Sequence, residues 1–236
     1  MSIWARISEF LSTVPANALS NLIEAVRTVF EGDPELRRRV AFSIAMIALS
    51  AKMAKADGIV TQAEMRAFQQ IFEVPPDQAR NVARLFDLAK QDVAGFELYA
   101  ERMARLCGSG QPNCAMLEDI LDGLFHIAKA DGFVHEREVA FLGRVAEIFE
   151  IDDQHFERIL SRHAILGEKD PWLVLGIERG APFEEVRARY RRMVADNHPD
   201  RLIARGVPEE FLAIANSRLA AINGAYETIE RSMQRT

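Results

Sequence analysis

Apolar residues recur three and four positions apart along nearly the whole chain of 236 residues, and no useful stretch alternates apolar with polar residues. Spacings of three and four bring side chains to one face of a helix, whereas alternation would bring them to one face of a strand. The pattern therefore predicts an all-α protein.

Residues 1–34 are expected to form amphipathic helices that pack on the helical domain after them. The apolar face of the first of these helices consists of Ile3, Trp4, Ile7, Phe10, Leu11 and Val14. Attachment of that face to a membrane surface is the weaker alternative, because only Arg6 is basic there.

The long N-terminal part contains an internal repeat. Residues 54–64 read AKADGIVTQAE, and residues 128–138, 74 positions later, read AKADGFVHERE. A second pair of blocks, IFEV at 71–74 and IFEI at 148–151, follows in the same order with a shift of 77. Two matched blocks in order indicate duplication.

Each copy of the repeat predicts a helix that ends at a glycine, followed by a second helix. In the first copy, Thr61 and Glu64 have the spacing of a capping box at the start of the second helix. His135 replaces the threonine in the second copy, and we expect that helix to start later because histidine caps poorly.

Four carboxylates recur at equivalent places of the two copies, namely Asp57, Glu64, Asp131 and Glu138. One interpretation is structural: the glutamates cap helices and the aspartates stabilise turns. The other is a divalent-cation site, formed if the copies pack about a pseudo-twofold axis. Helix capping explains the spacing without any metal, so the structural interpretation is favoured. The pattern is not an EF-hand loop, which needs oxygen ligands at alternating positions.

The two Lys-Ala-Asp-Gly-x-Val-x-x-x-Glu blocks resemble the TerB family, which is named for tellurite-resistance proteins. The resemblance covers roughly residues 35–165 and implies an all-helical, internally duplicated domain, here predicted over 35–166. It also implies that the acidic residues bind metal in this family. The matching positions are Asp57, Glu64, Asp131 and Glu138.

The distribution of charge indicates that the chain has two parts, and its overall charge and hydropathy argue against some classes of function. Residues 1–168 have 18 basic and 25 acidic side chains, while residues 169–236 have 11 and 10, and Gly167 and Pro171 interrupt the helical pattern between them. The overall charge of −6 argues against nucleic acid as a partner. The longest uncharged apolar stretch, residues 40–51, is shorter than the roughly 20 residues that cross a bilayer.

The two cysteines, Cys107 and Cys114, flank a short loop, and a disulfide across it is one alternative. Two cysteines are too few for a disulfide framework, so reduced thiols and a cytoplasmic location are favoured. Neither cysteine has a histidine nearby, and the chain has no phosphate-binding glycine loop. The sequence therefore predicts no catalytic residue.

The C-terminal 68 residues, 169–236, predict a helical hairpin. A short helix stopped by Gly176 precedes a second helix from Pro182 to about Asn197, and a loop through 206–208 leads to a third helix starting near Glu209. The apolar stripe of the second helix contains Val186, Tyr190, Met193 and Val194, while Arg187, Arg191 and Arg192 point away from it. The third helix should cover that stripe with Leu212, Ala215, Leu219, Ile222, Tyr226 and Ile229.

Four motifs in this part resemble, in order and spacing, the J domain of DnaJ-type co-chaperones. They are WLVLGI at 172–177, YRRM at 190–193, HPDR at 198–201 and AY at 225–226. The resemblance implies docking on the ATPase domain of a DnaK-type chaperone through the basic helix and the His198-Pro199-Asp200 loop, with faster ATP hydrolysis by that partner. A basic helix face is by itself usually just solvated, and His-Pro-Asp alone is an ordinary turn. The four motifs together favour the functional interpretation.

The combined resemblance implies a co-chaperone, not an enzyme, that requires no cofactor. The TerB-like part would bind an unknown client or target, and a metal-responsive stress adaptor with a divalent cation is the alternative. Two departures stand out. Asp196 and Asn197 replace the basic or aromatic pair that precedes the histidine in many J domains. Bacterial co-chaperones that combine a TerB-like part with a J domain have an N-terminal membrane span, and this sequence shows none. Membrane association is therefore expected to be absent or peripheral.

Overall fold

A computed structural model describes residues 4–5, 7–9, 34–57, 68, 74–91, 95–105, 113–132, 134–163, 170–205, 207–209 and 212–234, without the side chains of 55–57, 88, 91, 102 and 131. These residues form helices and no strand, and the all-α prediction is confirmed. The helices are α1 (Pro34–Asp57), α2 (Ala79–Gln91), α3 (Phe96–Ala104), α4 (Ala115–Ala128), α5 (Glu136–Ile148), α6 (Asp153–His163), α7 (Pro171–Leu175), α8 (Phe183–Asp196), α9 (Pro199–Ala204) and α10 (Leu212–Met233).

Helix α1 is the centre of an N-terminal bundle. It packs against α2, α3, α4 and α5, and every residue from 40 to 51 is buried. The hydroxyl of Ser43 donates to the carbonyl oxygen of Arg39 (3.0 Å), which allows this polar residue inside the core. A helix covered on all sides needs no polar face, which explains the long apolar stretch. In the part of the chain that the structure describes, no helix is both long and apolar enough to span a membrane.

The second repeat copy has the predicted helix-turn-helix form. Helix α4 continues into a 3-10 turn (Lys129–Asp131), and Gly132 stops it with a φ of 117°. The prediction that the next helix starts late is wrong, because α5 begins at Glu136 directly after His135. The carboxylate of Glu138 accepts a hydrogen bond from the His135 amide (2.9 Å), so the glutamate half of the capping box secures this start. Most of the equivalent turn in the first copy lies outside the described residues.

The prediction of reduced cysteines is also wrong, since Cys114 at the start of α4 is disulfide-bonded. The sequence has one other cysteine, Cys107, which lies outside the described residues. The prediction relied on the small number of cysteines and kept a disulfide across the short loop as the alternative. The short separation of the two cysteines favours that alternative, because the entropy cost of closing a small loop is small.

The C-terminal part is a hairpin of α8 and α10 with α7 packed against both helices. Asp170 caps α7 by accepting from the Trp172 amide (3.0 Å), and Gly176 ends it with a φ of 64°. The rings of Tyr190 and Tyr226 stack between the long helices with their centroids 4.2 Å apart. The buried core of the hairpin consists of Val174, Leu175, Val186, Met193, Ile222, Ala225 and Ile229.

Helix α10 divides its apolar face between two cores, which the sequence did not predict. Ile222 and Ile229 pack in the hairpin, as expected. Ile214 and Ala215, at its beginning, instead join the core of the N-terminal bundle. Leu202 and Val207 join the same core, so the segment between the long helices lies against the bundle. That segment was predicted as a loop, but it contains the short helix α9, with Pro199 in its first turn.

Candidate functional site

The His-Pro-Asp sequence lies at the corner between α8 and α9, with its polar side chains in solvent. His198 is the N-cap of α9, and its Nδ1 accepts a hydrogen bond from the Asp200 amide (3.2 Å). The side chains of His198 and Asp200 are 57% and 87% exposed, and Nδ1 is 3.6 Å from Asp200 Oδ2. Pro199 fixes the backbone between them. The corner therefore presents an imidazole and a carboxylate from a backbone that is hydrogen-bonded in place.

A row of arginines on α8 leads towards this corner. Arg187, Arg191 and Arg192 are exposed, and we call them the arginine flank. Within the described residues, none of the three makes an ion pair. Arg189 differs because its Nε donates to the Leu175 carbonyl oxygen (2.9 Å) and so ties α8 to α7. Sequence reasoning did not separate this structural arginine from its neighbours.

An open cleft of about 480 Å³ joins the arginine flank to the corner. Its lining combines an apolar floor with charged walls and consists of Tyr190, Arg191, Val194, Ala195, His198, Asp200 and Arg201. The hydroxyl of Tyr190 donates to Asn223 Oδ1 (3.2 Å), so the ring is held against α10. A partner that reached the corner would thus also contact the α8 side of the hairpin.

The two residues before His198 hold the corner in place. Asp196 accepts from the guanidinium of Arg201 (2.6 Å), which bridges the end of α8 to α9. Asn197 donates to the Met193 carbonyl oxygen (2.7 Å) and accepts from Nη1 of Arg218 (2.8 Å). These residues depart from the pattern of many J domains. In this structure both make side-chain hydrogen bonds that fix the corner.

A buried charge cluster lies behind the corner, between α4, α6 and α10. Arg218 is its centre, donating from Nε to Asp122 (3.0 Å) and from Nη1 to Asp119 (2.6 Å). The other members, His163 and Arg162, lie 3.1 Å and 3.6 Å from Asp122 Oδ1. At the edge of this cluster, Arg205 lies 3.3 Å from Asp119 Oδ2. The sequence signal for the cluster was two aspartates one turn apart on the apolar face of α4, which sequence reasoning missed.

The charges of the cluster depend on one another. Burial would raise the pKa of Asp122, but Arg218, Arg162 and His163 together hold it well below its usual range. Burial would lower the pKa of Arg218, yet Asp122 and Asp119 raise it. For Arg162 burial prevails and the pKa falls to about 10, because repulsion by Arg218 and Arg158 adds to burial and the attraction of Asp122 and Glu118 does not offset it. A charged Arg218 and an ionised Asp122 are therefore the favoured state.

The acidic residues predicted to hold a metal are only partly described. The side chains of Asp57 and Asp131, and the whole of Glu64, lie outside the described residues. Glu138 is 2% exposed, and its carboxylate accepts from the His135 amide at the start of α5. That contact fits the structural interpretation for this residue. Among the described residues, no group of acidic, histidine or cysteine side chains is suited to hold a metal ion.

Comparison with known proteins identifies the N-terminal bundle. Residues 43–161 match the family described as Tellurite resistance protein TerB, and this match spans half of the chain. The chain therefore belongs to the TerB family.

Similarity to individual proteins extends beyond that bundle. Co-chaperone protein DjlA of Photobacterium profundum is 27% identical over 224 residues, covering 82% of this chain and 78% of the relative. Co-chaperone protein DjlA of Coxiella burnetii is 29% identical over 199 residues, covering 76% and 73%. Co-chaperone protein DjlA of Shewanella oneidensis is 28% identical over 224 residues, covering 86% and 82%. No solved structure matches the chain.

Proposed function

We propose that this protein is a co-chaperone whose C-terminal hairpin, residues 169–236, is a J domain that stimulates the ATPase of a DnaK-type chaperone. The observation that best supports the proposal is the exposed corner of His198 and Asp200 at the end of a helix that carries the exposed arginine flank. The relatives named Co-chaperone protein DjlA support the same role.

The corner and the arginine flank would have different roles in docking. The guanidinium groups of Arg187, Arg191 and Arg192 would steer the hairpin onto an acidic surface, since long-range attraction raises the rate of association. Asp200 would then accept a charge-assisted hydrogen bond from a basic residue of the partner. Pro199 and the capping bond of His198 reduce the ordering entropy lost on docking. No residue of this chain reacts in the proposed mechanism, because the hydrolysed bond is in the nucleotide of the partner.

The TerB-like bundle, residues 35–166, would select the client or the target. The exposed corner lies on the hairpin, while the bundle contributes most of the large core around α1, to which residues 202–215 add four side chains. A separate module for target choice is consistent with this arrangement. A division near residue 168 is proposed on the same grounds, together with the change in charge at that point.

The test is the steady-state ATPase rate of a DnaK-type chaperone with the full chain added. Wild-type protein should raise the rate, and His198→Gln or Asp200→Asn should abolish the increase while the helical content stays the same. Asp87→Asn is the matched control, because it removes an exposed carboxylate on α2 of the bundle. Equal stimulation by wild type and both corner variants would reject the proposed contact. No stimulation by wild type would reject the function.

A further inference from the structure

The guanidinium group of Arg218 connects the corner to the bundle, and Arg205 lies beside it with Nη2 3.3 Å from Asp119 Oδ2. Nη1 of Arg218 donates both to Asn197, the residue before His198, and to Asp119 of α4. Nε of the same group donates to Asp122. Residues 197 and 119 are therefore joined by two hydrogen bonds across one planar side chain that is 4% exposed.

Apolar packing encloses this connection. Leu202 and Val207 on one side and Ile214 on the other are buried in the same core as α1 and α4. Gly123 on α4 allows a close approach, since a Cβ there would lie 2.9 Å from Ile214 Cδ1 and 2.7 Å from Met46 Cε. The charge cluster is thus shielded from water, where charge-assisted hydrogen bonds are stronger and more directional.

Stability alone does not account for a charged group at this place. Among the described residues, Nη2 of Arg218 is buried without a hydrogen-bond partner, and Oδ2 of Asp119 accepts no hydrogen bond although Nη2 of Arg205 lies 3.3 Å away. A buried ion cluster with unsatisfied atoms adds little over apolar residues of the same volume, and its best-attested use is to fix one arrangement. The arrangement fixed here is that of the corner relative to α4.

Given the proposed function, we propose that Arg218 is a positioning residue, which orients the His-Pro-Asp corner relative to the TerB-like bundle through Asn197 and Asp119. A client held by the bundle would then be presented to the chaperone in one orientation. Docking would also lose less entropy, because the corner is ordered before the encounter.

Hydrogen–deuterium exchange of the full chain, without any partner, measures the positioning directly. The amides of Leu202, Arg205 and Val207 are bonded within the segment after the corner. Arg218→Met and Asn197→Ala should speed their exchange about tenfold, and Arg218→Lys should give an intermediate rate because lysine keeps the charge without the planar fork. Arg231→Met is the matched control on the same helix, since its guanidinium bonds only the carbonyl oxygen of Glu227 within α10.

Chaperone stimulation by the same variants provides the second measurement. Asn197→Ala should raise the concentration for half-maximal stimulation several-fold while leaving the maximal rate unchanged, because His198 and Asp200 remain intact. Asn197→Ala and Asp119→Asn remove no cation from the cluster. If Arg218→Met does not fold, these two variants therefore test whether Arg218 positions the corner. Unchanged exchange in folded Asn197→Ala and Asp119→Asn would overturn the positioning role. Absence of stimulation by wild type would overturn the proposed function, and the exchange result would still decide the role of Arg218.

Discussion

His163 Nε2 lies 3.1 Å from Oδ1 of Asp122, a residue 41 positions earlier in the chain, and both side chains are buried. The imidazole stacks on Phe125 with the ring centroids 5.4 Å apart. Burial lowers the pKa of His163 despite the aspartate, with Arg162 and His126 adding to the effect. The neutral imidazole therefore donates its Nε2 proton to Asp122, because an ionised carboxylate only accepts hydrogen bonds.

The lowered pKa of His163 predicts a loss of stability in mild acid. Below pH 6.5 the unfolded chain binds a proton at this imidazole that the folded protein does not. The free energy of unfolding should therefore decrease as the pH falls from 7.5 to 5.5, by at most about 1.4 kcal/mol per pH unit from this group. Urea denaturation at several pH values measures the slope.

The variant His163→Gln isolates this contribution. Burial also lowers the pKa of His126, so that residue adds to the slope in wild type and variant alike. The variant should be less stable at pH 7.5 but show a smaller loss on acidification. Equal slopes for the two proteins would contradict the assignment.

The arginine flank predicts salt-dependent binding. Arg187→Ala combined with Arg191→Ala should weaken binding to a DnaK-type chaperone strongly at low salt and little at high salt, because exposed charges are screened over roughly 8 Å at physiological ionic strength. Surface plasmon resonance over a salt series gives the comparison. Arg80→Ala with Arg84→Ala is the matched control, since these exposed arginines have the same spacing of four on α2. A loss of affinity that does not vary with salt would indicate a folding defect instead.

Two glycines of the hairpin should respond to alanine in opposite directions. Gly176 ends α7 with a φ of 64°, and a Cβ there would lie 3.1 Å from Cδ of Arg158. Gly176→Ala should therefore lower the free energy of unfolding by roughly 1–2 kcal/mol. Gly224 lies within α10, and no atom of the described residues is within 4 Å of its Cβ position, so Gly224→Ala should raise the free energy of unfolding by about 0.5–1 kcal/mol. Chemical denaturation compares the two, and a neutral Gly176→Ala would be inconsistent with the left-handed turn.

Local signals in the sequence predicted the local structure well. The stripe of Val186 and Met193 on α8, the stop at Gly176 and the helix-turn-helix around Gly132 all follow from spacing and from glycine and proline chemistry. The same chemistry could have predicted α9, because Pro199 suits a first turn and His198 can cap it. That helix was missed because Pro199 was considered only as the end of α8.

Contacts between segments distant in the sequence could not be predicted from such local signals. Arg218 meets Asp119 over 99 positions, and no local pattern distinguishes its guanidinium from those of the exposed arginines. The division of α10 between two cores was missed for a related reason. Ala215 and Ile222 are seven positions apart on one stripe, so periodicity indicates a buried face without indicating what covers it.

The shared helix α10 has a consequence for protein engineering. The hairpin cannot be exchanged as an independent cassette, because a graft that starts at α7 would remove Ile214 and Arg218 from the bundle along with α10. The donor bundle would then expose a new apolar patch next to Asp119 and Asp122, which would both have lost Arg218. Chimeras of this protein should therefore be designed with the facing surface of α4 transferred together with the hairpin.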